Sequence, residues 1–513
     1  MRPNEAAAAA IGWLNRIVIL AVSVFVVQAL WPSGPEDDDE FPAAPPPPRG
    51  ERVASPPVRP APPAGHPAAP AEAGRRALPG DDSLHADAAR RAWVYVEQQY
   101  QPGTGLVNSV AGYPYATLWD VGSGLAALYA GAELGLLERE EYDRRMARAL
   151  QTLNTMRLYD GAAFNKNYST TTGRIAGRND REEPDAIGYG WSATDIGRVL
   201  IWLRIIATTQ PRHAQAARAV AARLDLDRMV DDGYLYGEDR APRSGRKRRY
   251  QEGRLPYEQY AASGFALWGH RAEKALSLRE NARPVNVLGI PLMADKRGYD
   301  HVTSEPVILA GLEVGWTPEM AQLARGMLAA QEARYRQTGK VTIVSEDAIP
   351  RAPHYFYYYS VVGNGQPFAL NVLNPRTRIS EPRWVSAKAA FAWHALLPGE
   401  YTQRAVATVA PAGSGAGGWA SGVYEGTRTS TRGQNVNTAA VVLESALYHA
   451  RGGRPFIQPA QTKPIVRQQA RADSARRDSV RRDSVRRSAA RPDSARRDTA
   501  RGAQPAAKAR TGD

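Results

Sequence analysis

The chain has 513 residues, 43% of them hydrophobic and 23% charged, with a formal net charge of +14 and no cysteine. The missing cysteines exclude structural disulfides and cysteine-based zinc or thiol chemistry. Residues 463–513 contain 15 Lys and Arg and six Asp, so this tail alone carries +9 of the net charge. The remaining excess is spread over a large body, so we expect no nucleic-acid partner for the folded part.

The first apolar segment predicts a membrane anchor. Residues 11–31 are mainly apolar and contain one charged residue, Arg16, whose long side chain can reach the membrane surface. Arg2 and Arg16 precede the uncharged run 17–31 and the acidic residues 36–40 follow it, which predicts that residues 1–10 are cytoplasmic and that the body is exported. A signal peptide cleaved near Ala29 is the alternative. Both interpretations place the body on the periplasmic, extracytoplasmic side of a bacterial inner membrane.

Two segments of biased composition flank the body. Residues 32–82 are rich in Pro and Ala, which predicts a disordered, extended spacer. Residues 458–513 contain Asp at a five-residue period, and this period places no apolar stripe on a helix. We therefore predict a disordered, mixed-charge tail. The alternative is a basic arm that contacts an anionic envelope polymer or lipid.

The body, residues 83–457, contains six segments that are apolar on nearly every face, as is typical of helices buried on all sides. They begin near Trp119, Trp191, Tyr257, Ser304, Trp384 and Asn437. Helices with a single apolar stripe lie between them, for example residues 138–153 and 317–335. This alternation predicts an all-α fold, an (α/α)6 toroid of paired inner and outer helices with short strands in its loops. The variable spacing disfavours the alternative, an open α-solenoid.

The starts of these inner segments are polar. In such a toroid the inner helices usually run parallel, so their starts gather at one end of the ring, which we call the mouth. We predict that the mouth binds substrate through Trp119, Asp120, Trp191, Asp195, Glu258 and Asn437, with Asn165, Lys166, Tyr424 and Glu425 added by preceding loops. An acid at a single helix start has an ordinary explanation, because it bonds free N–H groups and complements the helix dipole. Several such ends at one mouth favour a binding cleft, in which Trp119, Trp191 and Tyr424 would stack on sugar rings.

Two adjacent acids, Glu346 and Asp347, follow the strand-like apolar residues 341–344. They lie between an outer helix and the fifth inner helix, so their loop can reach the mouth. Glycoside hydrolysis needs one protonated carboxyl and one ionised carboxylate in different environments. We predict Glu305 as the general acid and Glu346 or Asp347 as the base, with roles that could be exchanged.

Other chemistries find little support in the sequence. The eight histidines show no HExxH or paired ligand spacing, so no metal and no cofactor are expected. No GxSxG motif occurs, which disfavours a serine hydrolase. The basic residues 243–254 are interpreted as a solvated loop, with a contact to an anionic glycan as the alternative.

Several long blocks resemble the bacterial domain-of-unknown-function family 3131. They include "TGLVNSVAGYPYATLWDVGS", "GYGWSATDIGR", "TSEPVILAGLEVG", "SEDAIPRAPHYF" and "VYEGTRTSTRGQNVNTAAVVLE", and with the sequence between them they span residues 104–444. That family is grouped with glucoamylase-like (α/α)6 proteins and β-1,2-glucan-active enzymes. The resemblance implies the toroid and a carbohydrate-related role, but no catalytic assignment.

Together these features predict a membrane-anchored, exported glycoside hydrolase-like protein. Its substrate would be a bacterial glucan or exopolysaccharide, and its partner a glycosyltransferase or export complex. The alternative is a toroid without catalysis that binds glycan or serves as a scaffold of a polysaccharide synthesis or secretion system.

Overall fold

The computed structural model describes residues 81–178, 181–182, 187–297, 300–352, 354–372 and 379–457. All of them belong to one compact unit. The predicted membrane segment, spacer and basic tail lie outside the described residues, apart from the last residues of the spacer. Within the described ranges, the helices are all too short or too polar to cross a membrane.

Helices are the main secondary structure of the described chain. They are α1 (Asp81–Gln99), α2 (Leu118–Glu133), α3 (Arg139–Thr155), α4 (Ala193–Thr209), α5 (Ala214–Ala222), α6 (Tyr257–Leu267), α7 (Glu273–Leu276), α8 (Leu278–Asn281), α9 (Ser304–Glu313), α10 (Pro318–Thr338), α11 (Ala387–Leu396), α12 (Glu400–Val409) and α13 (Val436–Ala450). Short 3-10 helices occur at Pro211–His213, Leu226–Met229 and Ala410–Gly413.

The strands are short and lie in the loops between helices. They are β1 (Tyr100–Gln101), β2 (Leu106–Val107), β3 (Tyr115–Thr117), β4 (Asn167–Ser169), β5 (Gly190–Trp191), β6 (Val230–Asp231), β7 (Tyr234–Arg240), β8 (Lys247–Gln251), β9 (Ala282–Val287), β10 (Ile290–Asp295), β11 (His301–Val302), β12 (Glu346–Ala348), β13 (Phe356–Tyr359), β14 (Val362–Gly363), β15 (Gln366–Pro367), β16 (Leu370–Asn371), β17 (Trp384–Ser386) and β18 (Gly422–Tyr424). They pair antiparallel into sheets of two to four strands.

Six helices close into an inner ring. In the order α2, α4, α6, α9, α11 and α13, each contacts the next, and α13 contacts α2. An outer layer covers them: α3, α5, α7, α10 and α12 each pack on the inner helix that precedes them, and α1 packs on α13. This is the predicted (α/α)6 arrangement, and its inner helices are the six segments that are apolar all round.

The two layers differ in burial as their sequences predict. All residues of α9 are buried, in keeping with its place in the inner ring. In the outer helix α3 the buried residues form one stripe: Tyr142, Met146, Ala149, Leu150 and Leu153. Inner helices approach closely where side chains are small, and a Cβ at Gly197 on α4 would lie 2.7 Å from the Cα of Ala261 on α6.

The structure departs from the predicted elements around the two adjacent acids. Residues 341–344 form no strand: a single backbone bond, from the Ser386 N–H to the Ile343 carbonyl at 2.9 Å, links them to β17, and side chains bond the N–H groups on either side. The N–H of Val344 donates to Gln331 at 2.8 Å, and that of Thr342 donates to Tyr401 at 3.2 Å. Instead the acids themselves begin β12, in which Glu346 pairs with Tyr358 and Asp347 with Tyr357.

Candidate active site

A buried lysine collects three carboxyl groups at the start of two neighbouring inner helices. Glu305 is the second residue of α9, Lys388 is the second residue of α11, and β12 supplies Glu346 and Asp347. Helices α9 and α11 are adjacent in the ring, which brings these positions together. We call this group the lysine–carboxylate cluster: Glu305, Glu346, Asp347 and Lys388.

Lys388 bridges two of the acids. Its Nζ donates to Oε2 of Glu305 and lies 3.3 Å from Oδ1 of Asp347. The residue is 2% exposed. Burial alone would lower the pKa of Lys388, but the negative charges of Asp347 and Glu305 raise it above its ordinary value. The ammonium therefore remains charged at neutral pH and holds Glu305 and Asp347 at one place.

Glu305 is fully buried, and both of its oxygens accept bonds. Trp119, at the start of α2, donates its indole N–H to Oε1 at 2.7 Å, while Lys388 donates to Oε2. Trp119 in turn packs against Tyr257 and Tyr260, with ring centroids 6.0 and 5.6 Å apart. Its role in this structure is to orient Glu305, because its ring is only 7% exposed.

Asp347 is held by two side chains of strand β17, which leads into helix α11. Its Oδ2 accepts bonds from the indole of Trp384 at 2.8 Å and from the hydroxyl of Ser386 at 2.9 Å. Burial raises the pKa of Asp347 to about 6, against the lowering effect of Lys388 and the Trp384 bond. Asp347 is thus mostly ionised at pH 7.

Glu346, unlike Asp347, is mainly protonated at neutral pH. The hydroxyl of Tyr257 donates to its Oε2, and it is the most exposed acid of the cluster at 6%. Burial and then the negative charge of Glu305 raise the pKa of Glu346 to about 8, although Lys388, Arg254 and the Tyr257 bond oppose this shift. Adjacent residues in the sequence therefore present one protonated and one ionised carboxyl group at neutral pH.

A second group of acids lies at the starts of α2 and α4. Asp120 forms a capping box with Thr117 and accepts a bond from Asn437 at 2.9 Å. Asp195 is not needed as a cap, because Ser192 caps α4 and the carboxylate of Glu252 accepts the N–H groups of Ala193 and Thr194.

Both acids of this second group are shifted toward the protonated form. Burial raises the pKa of Asp195 to about 7, and the charges of Glu252 and Asp120 add to this effect. Burial also raises the pKa of Asp120, against its bonds to Thr117 and Asn437. Asp195 is partly exposed, so it is available to contact a ligand at the mouth.

Several predicted binding residues have structural partners instead. Trp191 is fully buried and donates to the carbonyl of Tyr236 at 2.9 Å, so it has no free face for the expected sugar stacking. Asn165 is also fully buried; its amide donates to the Asn167 carbonyl at 2.9 Å, and its oxygen accepts from the Tyr189 N–H. Trp191 lies in β5, and the pairing of β5 with β7 accounts for its burial.

Two acids that were predicted to bind sugar hydroxyls form ion pairs with arginines instead. Glu258 is fully buried; it pairs with Arg297 at 2.6 Å and accepts from Gln251 at 2.8 Å. Glu425 forms a two-pronged pair with Arg334, at 2.5 and 2.9 Å. These bonds occupy the carboxylate oxygens that the predicted contacts with sugar hydroxyls would need.

Three other predicted residues keep partly exposed side chains. Lys166 donates to Asp239 and to the hydroxyl of Tyr250, with 21% of its side chain exposed. Tyr424 lies beside the guanidinium of Arg351, 6.0 Å from the ring centroid. Asn437 links Asp120 to the Ser123 hydroxyl. They remain candidates for contacts with a sugar.

Sequence reasoning missed two basic residues of the inner ring. Lys388 and Arg198 each stand in a segment that is otherwise strongly apolar, and this isolation was the available signal. Arg198 is fully buried and bonds Glu313 at 2.8 Å, Tyr260 at 2.7 Å and Glu444 at 3.2 Å. Its guanidinium lies 5.4 Å from the Trp119 ring, so it also supports the residue that orients Glu305.

In the described ranges, no three His, Asp or Glu side chains are arranged to hold a metal ion.

The closed double ring defines the fold class of the protein, an (α/α)6 toroid. The chain belongs to the family described as "Protein of unknown function (DUF3131)", whose family model matches residues 87–452. The resemblance seen in the sequence is thereby confirmed. No protein of curated function matches the chain by sequence.

Solved structures share the fold at low sequence identity. A candidate glucoamylase from Bacteroides caccae is 16% identical with a TM-score of 0.54; the match covers 72% of this chain and 94% of that one. An endo-β-1,2-glucanase from Chitinophaga pinensis, in complex with sophorotriose and glucose, is 13% identical with a TM-score of 0.52, covering 73% and 94%. A β-1,2-glucanase from Parabacteroides distasonis is 14% identical with a TM-score of 0.50, covering 76% and 59%. At these identities the likeness concerns the fold alone.

Proposed function

We propose that this protein is a glycoside hydrolase that acts on a bacterial β-glucan or related exopolysaccharide. The observation that carries the proposal is the lysine–carboxylate cluster, in which Glu346 is protonated and Asp347 is ionised at neutral pH. Pairs of carboxyl groups whose pKa values are driven apart are the usual acid and base of glycoside hydrolysis. Under this proposal the mouth of the ring is the substrate cleft.

The chemistry divides among the cluster as follows. Glu346 acts as the general acid and gives its proton to the leaving glycosidic oxygen. Asp347 acts as the base toward water; its Oδ1 is buried, lies 3.3 Å from Nζ of Lys388 and accepts no hydrogen bond from the described residues. Glu305 supports both by holding Lys388, whose positive charge keeps Asp347 ionised. This assignment moves the acid role from Glu305, which we expected from the sequence, to Glu346, and it keeps Asp347 as the base.

The substrate class rests on two supports. The solved structures with this fold include β-1,2-glucanases, one of them in complex with sophorotriose and glucose. The mouth also offers Asp195 and Asn437 for sugar hydroxyls and Tyr424 for stacking. Glucans with β-1,2 linkages are therefore the first substrates to test.

The cellular setting is part of the proposal. Residues 11–31 would anchor the protein in a bacterial inner membrane, with the toroid on the periplasmic side. A glycosyltransferase or export complex would supply the polymer. Fusions of alkaline phosphatase after residue 82 should be active in the periplasm, and inactive fusions would contradict this orientation.

The hydrolase proposal is tested by incubating the full-length protein with β-1,2-glucan and a panel of bacterial exopolysaccharides and measuring reducing ends. We expect release by the wild type and a loss of at least about 100-fold in Glu346→Gln and Asp347→Asn, because a general acid or base contributes about 10²–10⁴-fold. Glu332→Gln, on the outer helix α10, is the matched control and should retain activity. Equal activity of wild type and both cluster variants would refute the assignment.

A second candidate is a toroid that binds glycan without cleaving it. It is favoured by the burial of Glu305 and Asp347, which are 0% and 1% exposed, and by the occupation of both Glu305 oxygens. Calorimetry with the same polysaccharides separates the two candidates. Binding without any reducing ends would favour the second.

A further inference from the structure

Tyr257 is the phenol that bonds the proposed acid. It is the first residue of α6, is 3% exposed, and donates its hydroxyl to Oε2 of Glu346. The guanidinium of Arg254 lies 4.4 Å from its ring centroid, and the Trp119 ring is 6.0 Å away. The hydroxyl is thus held in one place by packing on two sides.

The direction of this bond restricts where a proton on Glu346 can lie. A protonated carboxyl group has one oxygen that carries the proton and one oxygen that only accepts. An oxygen that accepts the Tyr257 hydroxyl is most favourably the accepting one, so the proton belongs on the other. Oε1 has no described donor, since the bond found to this carboxyl among the described residues goes to Oε2.

The charges around Glu346 do not by themselves determine which of its two oxygens carries the proton. Glu346 is faced by Glu305 from α9, Lys388 from α11, Arg254 ahead of α6 and Tyr358 on the neighbouring strand β13. Their charges shift the titration of the whole group, but only a directed hydrogen bond distinguishes one oxygen from the other. Arg254 reinforces that bond, because a cation over the ring withdraws electron density and makes the phenol a stronger donor.

We propose that Tyr257 is a positioning residue that fixes the proton of Glu346 on Oε1. The catalytic meaning of this inference rests on the proposed function, since Oε1 would then be the atom that delivers the proton to the leaving oxygen. The position of the proton itself does not depend on any substrate, and it can be measured without one.

The experiment is a carbon-13 NMR titration of the full-length protein with labelled glutamate side chains, with Glu346→Gln identifying the resonance. Tyr257→Phe removes a bond that favours the charged form, so the titration midpoint of Glu346 should rise by at least about half a pH unit. Tyr401→Phe is the matched control, because Tyr401 is a buried phenol bonded to the carbonyls of Gln331 and Thr342 away from the cluster. It should leave the midpoint unchanged.

A second variant keeps the test independent of packing damage. Tyr257→3-fluorotyrosine preserves the shape of the phenol and strengthens it as a donor, so the midpoint should fall instead of rise. A midpoint that stays constant in both variants, or that falls in Tyr257→Phe, would overturn the proposal, because it would mean that Glu346 donates to the phenol or does not bond it.

Activity adds a separate readout. If the protein hydrolyses a glucan, Tyr257→Phe should lower kcat with KM unchanged and move the basic limb of the pH profile upward. Shifted midpoints without hydrolysis of any glucan would reject the proposed function and leave the positioning role of Tyr257 supported.

Discussion

Replacing Lys388 by methionine should destabilise the protein strongly, and more so at high pH. Methionine fills a similar volume but leaves the carboxylates of Glu305 and Asp347 buried without their shared cation. At the 3.3 Å that separates Nζ from Oδ1 of Asp347, the pair interaction is about 5 kcal/mol at an effective dielectric of about 20. The cost of burying the ammonium offsets part of this, and breaking a buried pair by removing one partner typically costs about 3–5 kcal/mol.

The pH dependence follows from the acids that remain. Burial raises the pKa of Asp347 to about 6 even with Lys388 present, so loss of the cation must raise it further. At pH 5 the variant can neutralise its buried acid by taking up a proton, whereas at pH 8 it must bury the charge or unfold. We expect a loss of about 3–5 kcal/mol at pH 8 and less than half of that at pH 5.

The assay is urea unfolding of wild type and Lys388→Met at both pH values, followed by circular dichroism. Lys274→Met is the matched control, because Lys274 pairs with Asp232 at 2.8 Å on the surface and should have no measurable effect. A loss at pH 8 below about 1 kcal/mol, or an equal loss at both pH values, would refute the view that Lys388 neutralises buried carboxylates.

Two further predictions concern buried protons. Glu346 has a pKa of about 8 in the fold against an ordinary value of 4.5, so both states keep its proton below pH 4.5 and only the unfolded state loses it as the pH rises to 8. Wild-type stability should fall over this range by up to about 1.4 kcal/mol per pH unit from this group, and Glu346→Gln should remove that fall; urea midpoints that decline equally in both proteins would contradict this. Beneath the mouth, burial and the nearby charge of Glu313 raise the pKa of Glu444 well above its ordinary value, which favours the protonated form of Glu444 beside Arg198. Glu444→Gln should therefore cost less than about 1 kcal/mol at pH 7, whereas Glu313→Gln, which removes the counter-charge of Arg198, should cost about 3–5 kcal/mol; thermal or urea unfolding that ranks them in the opposite order would show that the proton is on Glu313.

The ring could be predicted from the sequence because burial on all faces is a local property of each inner helix. The six apolar segments and the one-sided helices between them were sufficient to predict two layers. The exact helix starts could not be predicted, since Trp191 and Trp384 lie in β5 and β17, whose partners β7 and β18 are distant in the chain. Residues 341–344 resemble a strand in sequence but form none, because apolar content alone does not show whether a partner strand is present.

The proximity of the three acids was predictable from the sequence, and their bonds were not. Placing Glu305, Glu346 and Asp347 at one mouth needed only the direction of the inner helices and the position of one loop. Nothing local shows that Lys388 bridges two of these acids or that Arg297 and Arg334 occupy Glu258 and Glu425. Those pairings join residues far apart in the chain, and they decide which acids keep an oxygen that no basic side chain bonds.

The most direct measurement of the central claim is the dependence of cleavage on the leaving group. A glycoside with an acidic phenol as leaving group needs no proton from a general acid, whereas a sugar leaving group does. With the full-length protein and the oligosaccharide that the substrate panel identifies, Glu346→Gln should lose about 10²–10⁴-fold of its activity on the natural linkage and retain most of it on the dinitrophenyl glycoside of the same sugar. Equal losses on both substrates, or none on either, would contradict the assignment of Glu346 as the proton donor.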